Sequence, residues 1–311
     1  MTKSTNYLNR LAKIQDHLNK PFINKSYLYR EIKLLLDEAG FKQKKLVLSF
    51  RSIHRAVVHK DESWFDKIDK FGIPPAYIAG INRCNSPNRP IFYGSNDNTI
   101  PIFEVRANEK INQFVAVSRW CSKRNAPLDD TIPIEFNGFV LGNEQISRHL
   151  DQSKPAHKFL NQCNKFNESL PYNIKDLDRL IGELFVSSQS VINNIYWLTS
   201  AIVKVLFGYD CQGIIYPSVE NKLQGYNIVF SESFFKRYLR LYGATIYQIK
   251  SFDPERLEYT LSAKKSLYGS NSAGKLVWKN IHSRHNDELF IFSPHTQVLN
   301  IHDIEPLTLE D

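Results

Sequence analysis

Two apolar stretches separated by a turn decide the fold class: Gly-Ile-Ile-Tyr-Pro-Ser at residues 213–218 and Gly-Tyr-Asn-Ile-Val-Phe at residues 225–230. The first is a continuous apolar run that stops at Pro217, which is typical of a buried strand. The second predicts another strand over residues 227–230. Each stretch also carries a polar side chain at a strand end, Ser218 in the first and Asn227 in the second.

Outward from these strands, helical and extended patterns follow one another without regular alternation. Helical spacing of apolar residues covers the first 45 residues, where Gly40 is a plausible helix end, and residues 174–207, and a short helix is expected to begin near Thr99. A Pro-, Gly- and Asn-rich loop is predicted from Gly72 to Pro90. Further strands are predicted at 45–51, 91–93, 114–120, 244–249 and 257–261, with edge strands at 275–278 and 289–292. This order disfavours a doubly wound parallel sheet and predicts an α+β fold with a mixed sheet core.

Composition limits the possible classes of protein. The 311 residues include 42% hydrophobic residues, enough for a sizeable core, and carry a net charge of +8, which favours an anionic partner such as a nucleotide, a nucleic acid or an acidic protein. The four cysteines form no CxxC pair and no zinc-ligand spacing. Because the N-terminal sequence is polar and no apolar stretch is long enough for a membrane span, we expect a cytoplasmic protein with free thiols, no metal and no membrane contact.

Several standard signatures are absent from the sequence: GxGxxG, a Gly-rich loop ending in Gly-Lys-Ser/Thr, HExxH and GxSxG. A Rossmann-type dinucleotide site and a P-loop are therefore unsupported. What remains is an ordered set of polar residues near the predicted strand ends, and these are Arg51, Arg83, Asn85, Tyr93, Glu104, Ser218 and Asn227.

This ordered set resembles the RES domain, a family named for an arginine, a glutamate and a serine. The resemblance covers about residues 46 to 262. Its most specific part is the Tyr-Pro-Ser element ending at Ser218 with Gly-x-Asn ending at Asn227, which occurs together with the Arg-x-Asn loop of Arg83 and Asn85 and with Glu104 in the same order as in the family. It implies a fold similar to ADP-ribosyltransferases and a toxin that consumes NAD⁺. With the helical spacing in the first 45 residues, we therefore expect a helical N-terminal segment at 1–45, an RES-like catalytic domain at 46–265 and a C-terminal extension at 266–311.

The resemblance implies a role for each residue of the set, and the chemistry is consistent with the residue types. Breaking the nicotinamide–ribose bond makes the ribose cationic, which a carboxylate at Glu104 would stabilise. Arg51 and Arg83 would hold the pyrophosphate through charge-assisted hydrogen bonds.

The remaining residues of the set would complete the NAD⁺ site. Tyr93 would offer an aromatic face or a hydroxyl, Asn85 would belong to the binding loop, and Ser218 and Asn227 would hydrogen-bond the ligand or an incoming phosphate. Ser218 is not expected to be a covalent nucleophile, because no His/Asp partner is identifiable.

Several alternatives stay open at this point. The second aromatic of the site could be Trp64 or Tyr77. Water, inorganic phosphate or a protein could accept the ADP-ribose, so the chain could be a NAD⁺ glycohydrolase, a NAD⁺ phosphorylase or a protein ADP-ribosyltransferase. An antitoxin protein could be its partner, and it could form a homo-oligomer. An inactive RES-like module that binds nucleic acid or protein is the alternative of a different class.

Overall fold

Residues 213–217 form the middle strand of a five-stranded sheet in a computed structural model that describes residues 3–18, 20, 22–125, 129–149, 155–187, 192–270, 275–281 and 289–292. The strands, in chain order, are β1 Leu46–Phe50, β2 Ile53–His59, β3 Phe92–Gly94, β4 Phe114–Ser122, β5 Ile134–Val140, β6 Gly213–Pro217, β7 Tyr226–Phe230, β8 Leu239–Asp253, β9 Glu258–Ser270, β10 Leu276–Asn280 and β11 Leu289–Phe292.

The strands form two sheets. The first has the order β1-β5-β6-β7-β3, with β5 and β6 parallel and the other neighbours antiparallel. The second is antiparallel, with the order β10-β9-β8-β4-β2, and β11 also pairs with β9. Together with the helices, these sheets confirm the predicted α+β class with a mixed sheet.

The two sheets are joined where β2 meets the end of β3. His54 N donates to Ser95 O at 2.6 Å, and Ser95 N donates to His54 O at 2.8 Å. A Cβ atom at the neighbouring Gly94 would lie 2.5 Å from Ile53 Cγ2 and 2.7 Å from His54 O. Only glycine therefore allows the two backbones to approach this closely.

The first sheet is buried on both faces because its central residues alternate between two cores. Ile214 of β6 and Val229 of β7 pack in a core with the helices. Ile215 and Ile228 pack in a second core with residues of β4 and β8. All four side chains are fully buried, and each such burial contributes about 1.5–3 kcal/mol.

The helices are α1 Lys3–Leu18, α2 Lys25–Glu38, α3 Ile100–Glu104, α4 Asn143–His149, α5 Pro155–Glu168, α6 Tyr172–Val186, α7 Ile192–Phe207 and α8 Glu232–Tyr238. Helix α2 begins at Asn24, whose side chain accepts a hydrogen bond from Tyr27 N at 3.0 Å. Its apolar stripe, including Leu28 and Ile32, is buried in the same core as α6 and α7. The N-terminal helices thus share a core with the first sheet.

Most of the predicted elements are present, with adjusted bounds. The structure confirms strands at β1, β3, β4, β6 and β7 and the edge strands β10 and β11, while β8 and β9 are longer than predicted. The helical region at 174–207 consists of two helices, α6 and α7. Five helices and strands were not predicted from the sequence, namely β2, β5, α4, α5 and α8, and β2 is the omission that matters for the site.

Over the described ranges, no helix is long and apolar enough to cross a membrane.

A buried ion pair connects the start of β1 to α6. Lys44 Nζ lies 3.1 Å from Asp178 Oδ2, and the two side chains are 1% and 10% exposed. Lys44 Nζ also donates to Asn167 Oδ1 at 2.9 Å, and Asn167 Nδ2 donates to Asp178 Oδ2 at 3.2 Å. Burial raises the pKa of Asp178, whereas Lys44 lowers it.

We expect Lys44→Ala to lower the free energy of unfolding by about 3–5 kcal/mol, because it leaves a buried carboxylate without its cation. Urea denaturation measures this change. Lys33→Ala is the matched control, since it removes a lysine from an ion pair with Asp37 in which the side chains are 48% and 32% exposed. Exposed pairs contribute little to stability, so this variant should unfold at nearly the same urea concentration as the wild type. Equal losses in the two variants would contradict the prediction.

Candidate active site

A cavity of about 440 Å³ opens beside the junction of the two sheets. Its walls come from β2, the loop before β3, β3 itself, the end of α3, the ends of β6 and β7, and α7. The polar and aromatic side chains that line it are Arg55, Asn82, Arg83, Tyr93, Glu104, Arg106, Tyr196, Tyr216, Glu220 and Asn227.

Glu104, the last residue of α3, provides a carboxylate to this cavity. Ser218 Oγ donates to Glu104 Oε1 at 2.6 Å, and Asn227 Nδ2 donates to the same oxygen at 2.8 Å. Burial raises the pKa of Glu104, while the hydrogen bonds from Asn227 and Ser218 lower it. Because both bonds use Oε1, Oε2 is left to accept a hydrogen bond from a ligand.

A tight turn after β6 sets the position of Ser218. Ser218 N donates to Gly225 O at 3.0 Å, and Leu223 N donates to Ser218 O at 2.9 Å. A Cβ atom at Gly225 would lie 2.3 Å from Ile100 Cδ1 on α3, so glycine is needed for the turn to pack against that helix. Ser218 itself is fully buried and is not part of the cavity wall, so the structure places its hydroxyl against Glu104 and not at the surface of the cavity.

Arg55 of β2 lines the cavity, although no motif in the sequence pointed to it. Arg55 Nη1 donates to Tyr93 O at 2.9 Å, and its guanidinium lies 5.5 Å from the centre of the Phe92 ring. Its Nε is buried and has no hydrogen-bond partner in the described part of the chain. Burial lowers the pKa of Arg55 to about 10, so the side chain stays charged at neutral pH.

Arg51 lies elsewhere, contrary to its expected role as a site residue. It follows the last residue of β1, is exposed, and does not line the cavity. The physical reason is strand β2, which the sequence did not predict. It begins at Ile53 and takes the chain into the second sheet, so that Arg55 and not Arg51 lines the cavity. The isoleucine and two valines within residues 53–58 were the available signal for a strand here, since β-branched residues favour extended backbone.

Arg83, in the loop before β3, is a second arginine that lines the cavity. Its Nη1 donates to Phe185 O at 2.5 Å and its Nη2 donates to Ser187 O at 3.3 Å, at the end of α6. The guanidinium also lies 5.5 Å from the centre of the Tyr196 ring. All of these acceptors are uncharged, so they fix the arginine without neutralising it.

Tyr93 lines the cavity with its hydroxyl already engaged. Tyr93 Oη donates to Asn85 Oδ1 at 2.7 Å and accepts from Cys84 N at 3.1 Å. Asn85 is buried, does not line the cavity, and donates to Gly80 O at 2.7 Å. Asn85 therefore braces the loop and Tyr93, and the ring of Tyr93 is the part available to a ligand.

The second aromatic side chain of the site is neither of the two candidates from the sequence. Trp64 stacks on His59 with ring centres 4.6 Å apart, and Tyr77 is 83% exposed. Neither lines the cavity, whereas Tyr196 of α7 and Tyr216 of β6 do. Both were visible in the sequence, and Tyr216 lies within the stretch Gly-Ile-Ile-Tyr-Pro-Ser.

The described residues contain no group of three or more His, Cys, Asp or Glu side chains that could hold a metal ion. The four cysteines, Cys84, Cys121, Cys163 and Cys211, are free and buried. Burial raises the pKa of the Cys84 thiol, behind the cavity wall, to about 12. These thiols are therefore protonated at neutral pH and are not nucleophiles.

Comparison with known proteins gives only distant structural likenesses. No family model matches the sequence, and no curated protein matches it. A chain in the crystal structure of the M. tuberculosis MbcT–MbcA toxin–antitoxin complex is similar to this one, with a TM-score of 0.35 and 13% sequence identity over 70% of this chain and 90% of that chain. A likeness this distant carries no function over to this chain by itself.

We expect Glu104→Gln to stabilise the protein at neutral pH, because the isosteric amide removes a charge that burial disfavours. The folded-state pKa of Glu104 is raised, so the penalty grows as pH rises from the unfolded carboxyl pKa, about 4.3, through the folded value. Below that range both forms are neutral, and the advantage of the variant should disappear.

Urea denaturation over a series of pH values measures this difference, and Glu135→Gln, at an exposed position of β5, is the control for the loss of a surface carboxylate. A stability gain for Glu104→Gln that is the same at acidic and neutral pH would contradict the prediction.

Proposed function

We propose that this chain is an NAD⁺-consuming enzyme that breaks the bond between nicotinamide and ribose. The observation that carries the proposal is the carboxylate of Glu104, held by Ser218 and Asn227 in a cavity that three arginines also line. A volume of about 440 Å³ lies within the range of small-molecule sites.

In the proposed reaction, nicotinamide leaves with the electron pair of the broken bond, and positive charge develops on the ribose. A carboxylate at Glu104 stabilises that charge, and its Oε2 accepts a hydrogen bond from a ribose hydroxyl. Ser218 and Asn227 hold Oε1, so the carboxylate does not have to reorganise when charge develops. The ionised form is the active one, and activity should therefore fall at acidic pH.

Arg55 and Arg83 suit the diphosphate of NAD⁺. Each guanidinium is fixed by main-chain carbonyls, which use some of its donors and leave its charge uncompensated. Charge-assisted hydrogen bonds to phosphate oxygens are among the strongest available to a protein. The aromatic rings of Tyr93, Tyr196 and Tyr216 offer faces for the nicotinamide.

The fate of ADP-ribose and the biological role are part of the same proposal. Water or inorganic phosphate is proposed as the acceptor, giving ADP-ribose or its 1″-phosphate, and a protein acceptor remains the alternative. A role as a toxin or defence effector, with an antitoxin protein as partner, rests on the RES-like motifs. Induced expression should then arrest growth and deplete cellular NAD⁺.

We expect the purified chain to consume NAD⁺ and Glu104→Gln to do so at least about 100-fold more slowly, because the variant cannot stabilise the ribose cation. Liquid chromatography follows NAD⁺ and nicotinamide, with and without phosphate, and identifies the acceptor from the product. Glu135→Gln is the control and should retain activity. A wild-type chain that neither consumes nor binds NAD⁺, but binds nucleic acid in a salt-dependent way, would instead support the binding-module alternative.

The two arginines near β2 give a sharper comparison. We expect Arg55→Gln to raise the KM for NAD⁺ about 10-fold or more, because a hydrogen bond to a charged group contributes about 1.5–3 kcal/mol. Arg51→Gln removes the same charge at an exposed position four residues earlier and should leave KM unchanged. The reverse outcome would support the role expected for Arg51 from the sequence.

A further inference from the structure

An ion pair between two residues near Glu104 forms part of the cavity wall. Arg106 Nη2 lies 3.0 Å from Glu220 Oε1, and the two side chains are 35% and 33% exposed. Both residues line the cavity. Arg106 follows Glu104 by two residues and Glu220 follows Ser218 by two, so the pair joins the two segments that hold the Glu104 carboxylate.

Arg106 differs from the other two arginines of the cavity. Arg55 and Arg83 donate to uncharged main-chain carbonyls. Of the three arginines that line the cavity in the described ranges, Arg106 is the one within ion-pair distance of a carboxylate. An anionic ligand therefore meets two guanidinium groups without a carboxylate partner, Arg55 and Arg83, and a third, Arg106, that is paired with Glu220.

The main chain of Arg106 has an unusual conformation. Arg106 has φ 49° and ψ 54°, in the left-handed region that a residue with a Cβ atom rarely adopts. Arg106 N donates to Phe103 O at 2.9 Å, and Glu109 N donates to Arg106 O at 3.1 Å. The unusual conformation is thus held from both sides.

Glu220 also acts on the site through its charge. Burial is the main reason why the pKa of Glu104 is raised, and the Glu220 carboxylate raises it further. Moving Glu220 away from the cavity would therefore favour the ionised form of Glu104. The same movement would free Arg106 to bind an anion.

We propose that Glu220 is a built-in competitor for Arg106, and that a diphosphate-bearing ligand displaces it and takes Arg106 as a third arginine. The inference rests on the proposed function only in that the ligand of the cavity carries a diphosphate. Glu220 thereby lowers the affinity of the cavity for anions, and Arg106 is a specificity-determining residue.

The test is calorimetric binding of inorganic pyrophosphate and of ADP-ribose to the full chain. Arg106→Gln should weaken binding of both about 10-fold or more, because it removes a charge-assisted bond. Glu220→Gln should tighten binding about 2- to 5-fold, the equivalent of a partly exposed ion pair. The double variant should bind as weakly as Arg106→Gln alone, because Glu220 then has no Arg106 guanidinium for which to compete with the ligand.

Further variants distinguish competition from a structural role of the ion pair and from general charge repulsion. Arg179→Gln removes an arginine from an exposed ion pair with Asp176 on α6 and should change neither affinity, and thermal unfolding of each variant reports on folding. Weaker binding in Glu220→Gln would show that the pair is a structural clamp and would overturn the proposal. A gain that persists in the double variant would show general repulsion by Glu220 and would also overturn it.

The outcome is independent of the reaction. If the variants follow the predicted pattern with pyrophosphate but NAD⁺ is not consumed, the competitor role stands and the proposed function fails. If NAD⁺ is consumed but the variants do not follow this pattern, the proposed function stands and the competitor role fails. If the wild-type chain binds neither pyrophosphate nor ADP-ribose, the competitor role is overturned.

Discussion

The hydrogen bonds from Ser218 and Asn227 to Glu104 Oε1 are the interaction on which the site depends. A partly buried carboxylate loses part of its hydration, and hydrogen-bond donors of the protein must replace what is lost. Two bonds to a charged acceptor contribute about 1.5–3 kcal/mol each, yet burial still raises the pKa of Glu104. The ionised carboxylate is therefore disfavoured by its surroundings, and shifted pKa values of this kind cluster at functional sites, which supports the proposed role of Glu104.

That interaction requires three separate segments to converge, and the alternation of β6 makes this possible. Ile214 faces the helices and Ile215 faces the second sheet, so the strand is clamped between two cores. In the register of β6 and β7, Tyr216 lies opposite Asn227, which brings both side chains to the cavity. The cavity therefore lies at the point where β6 ends and β7 begins.

Much of this arrangement could be predicted from the sequence, because it lies in apolar runs with clear ends. The strands β6 and β7 and the residues Glu104, Ser218 and Asn227 belong to that part, although no pattern showed that Ser218 and Asn227 would hold Glu104 rather than a ligand. The position of Arg55 could not be predicted once β2 had been missed, since two histidines and an arginine interrupt that strand. For Tyr196 the sequence favoured a core position over a place in the wall of the site, because a tyrosine on an apolar helix face is usually a core residue.

The positive charge that would attract the proposed anionic ligand is local to the cavity and is not a consequence of the net charge of +8. Three arginines and two carboxylates line the cavity, and one carboxylate is committed to Ser218 and Asn227 while the other is paired with Arg106. Charges that are partly buried are screened by salt much less than those on the surface. Binding of a diphosphate at this site should therefore depend on salt only weakly, whereas attraction through the dispersed surface lysines would be lost as ionic strength rises.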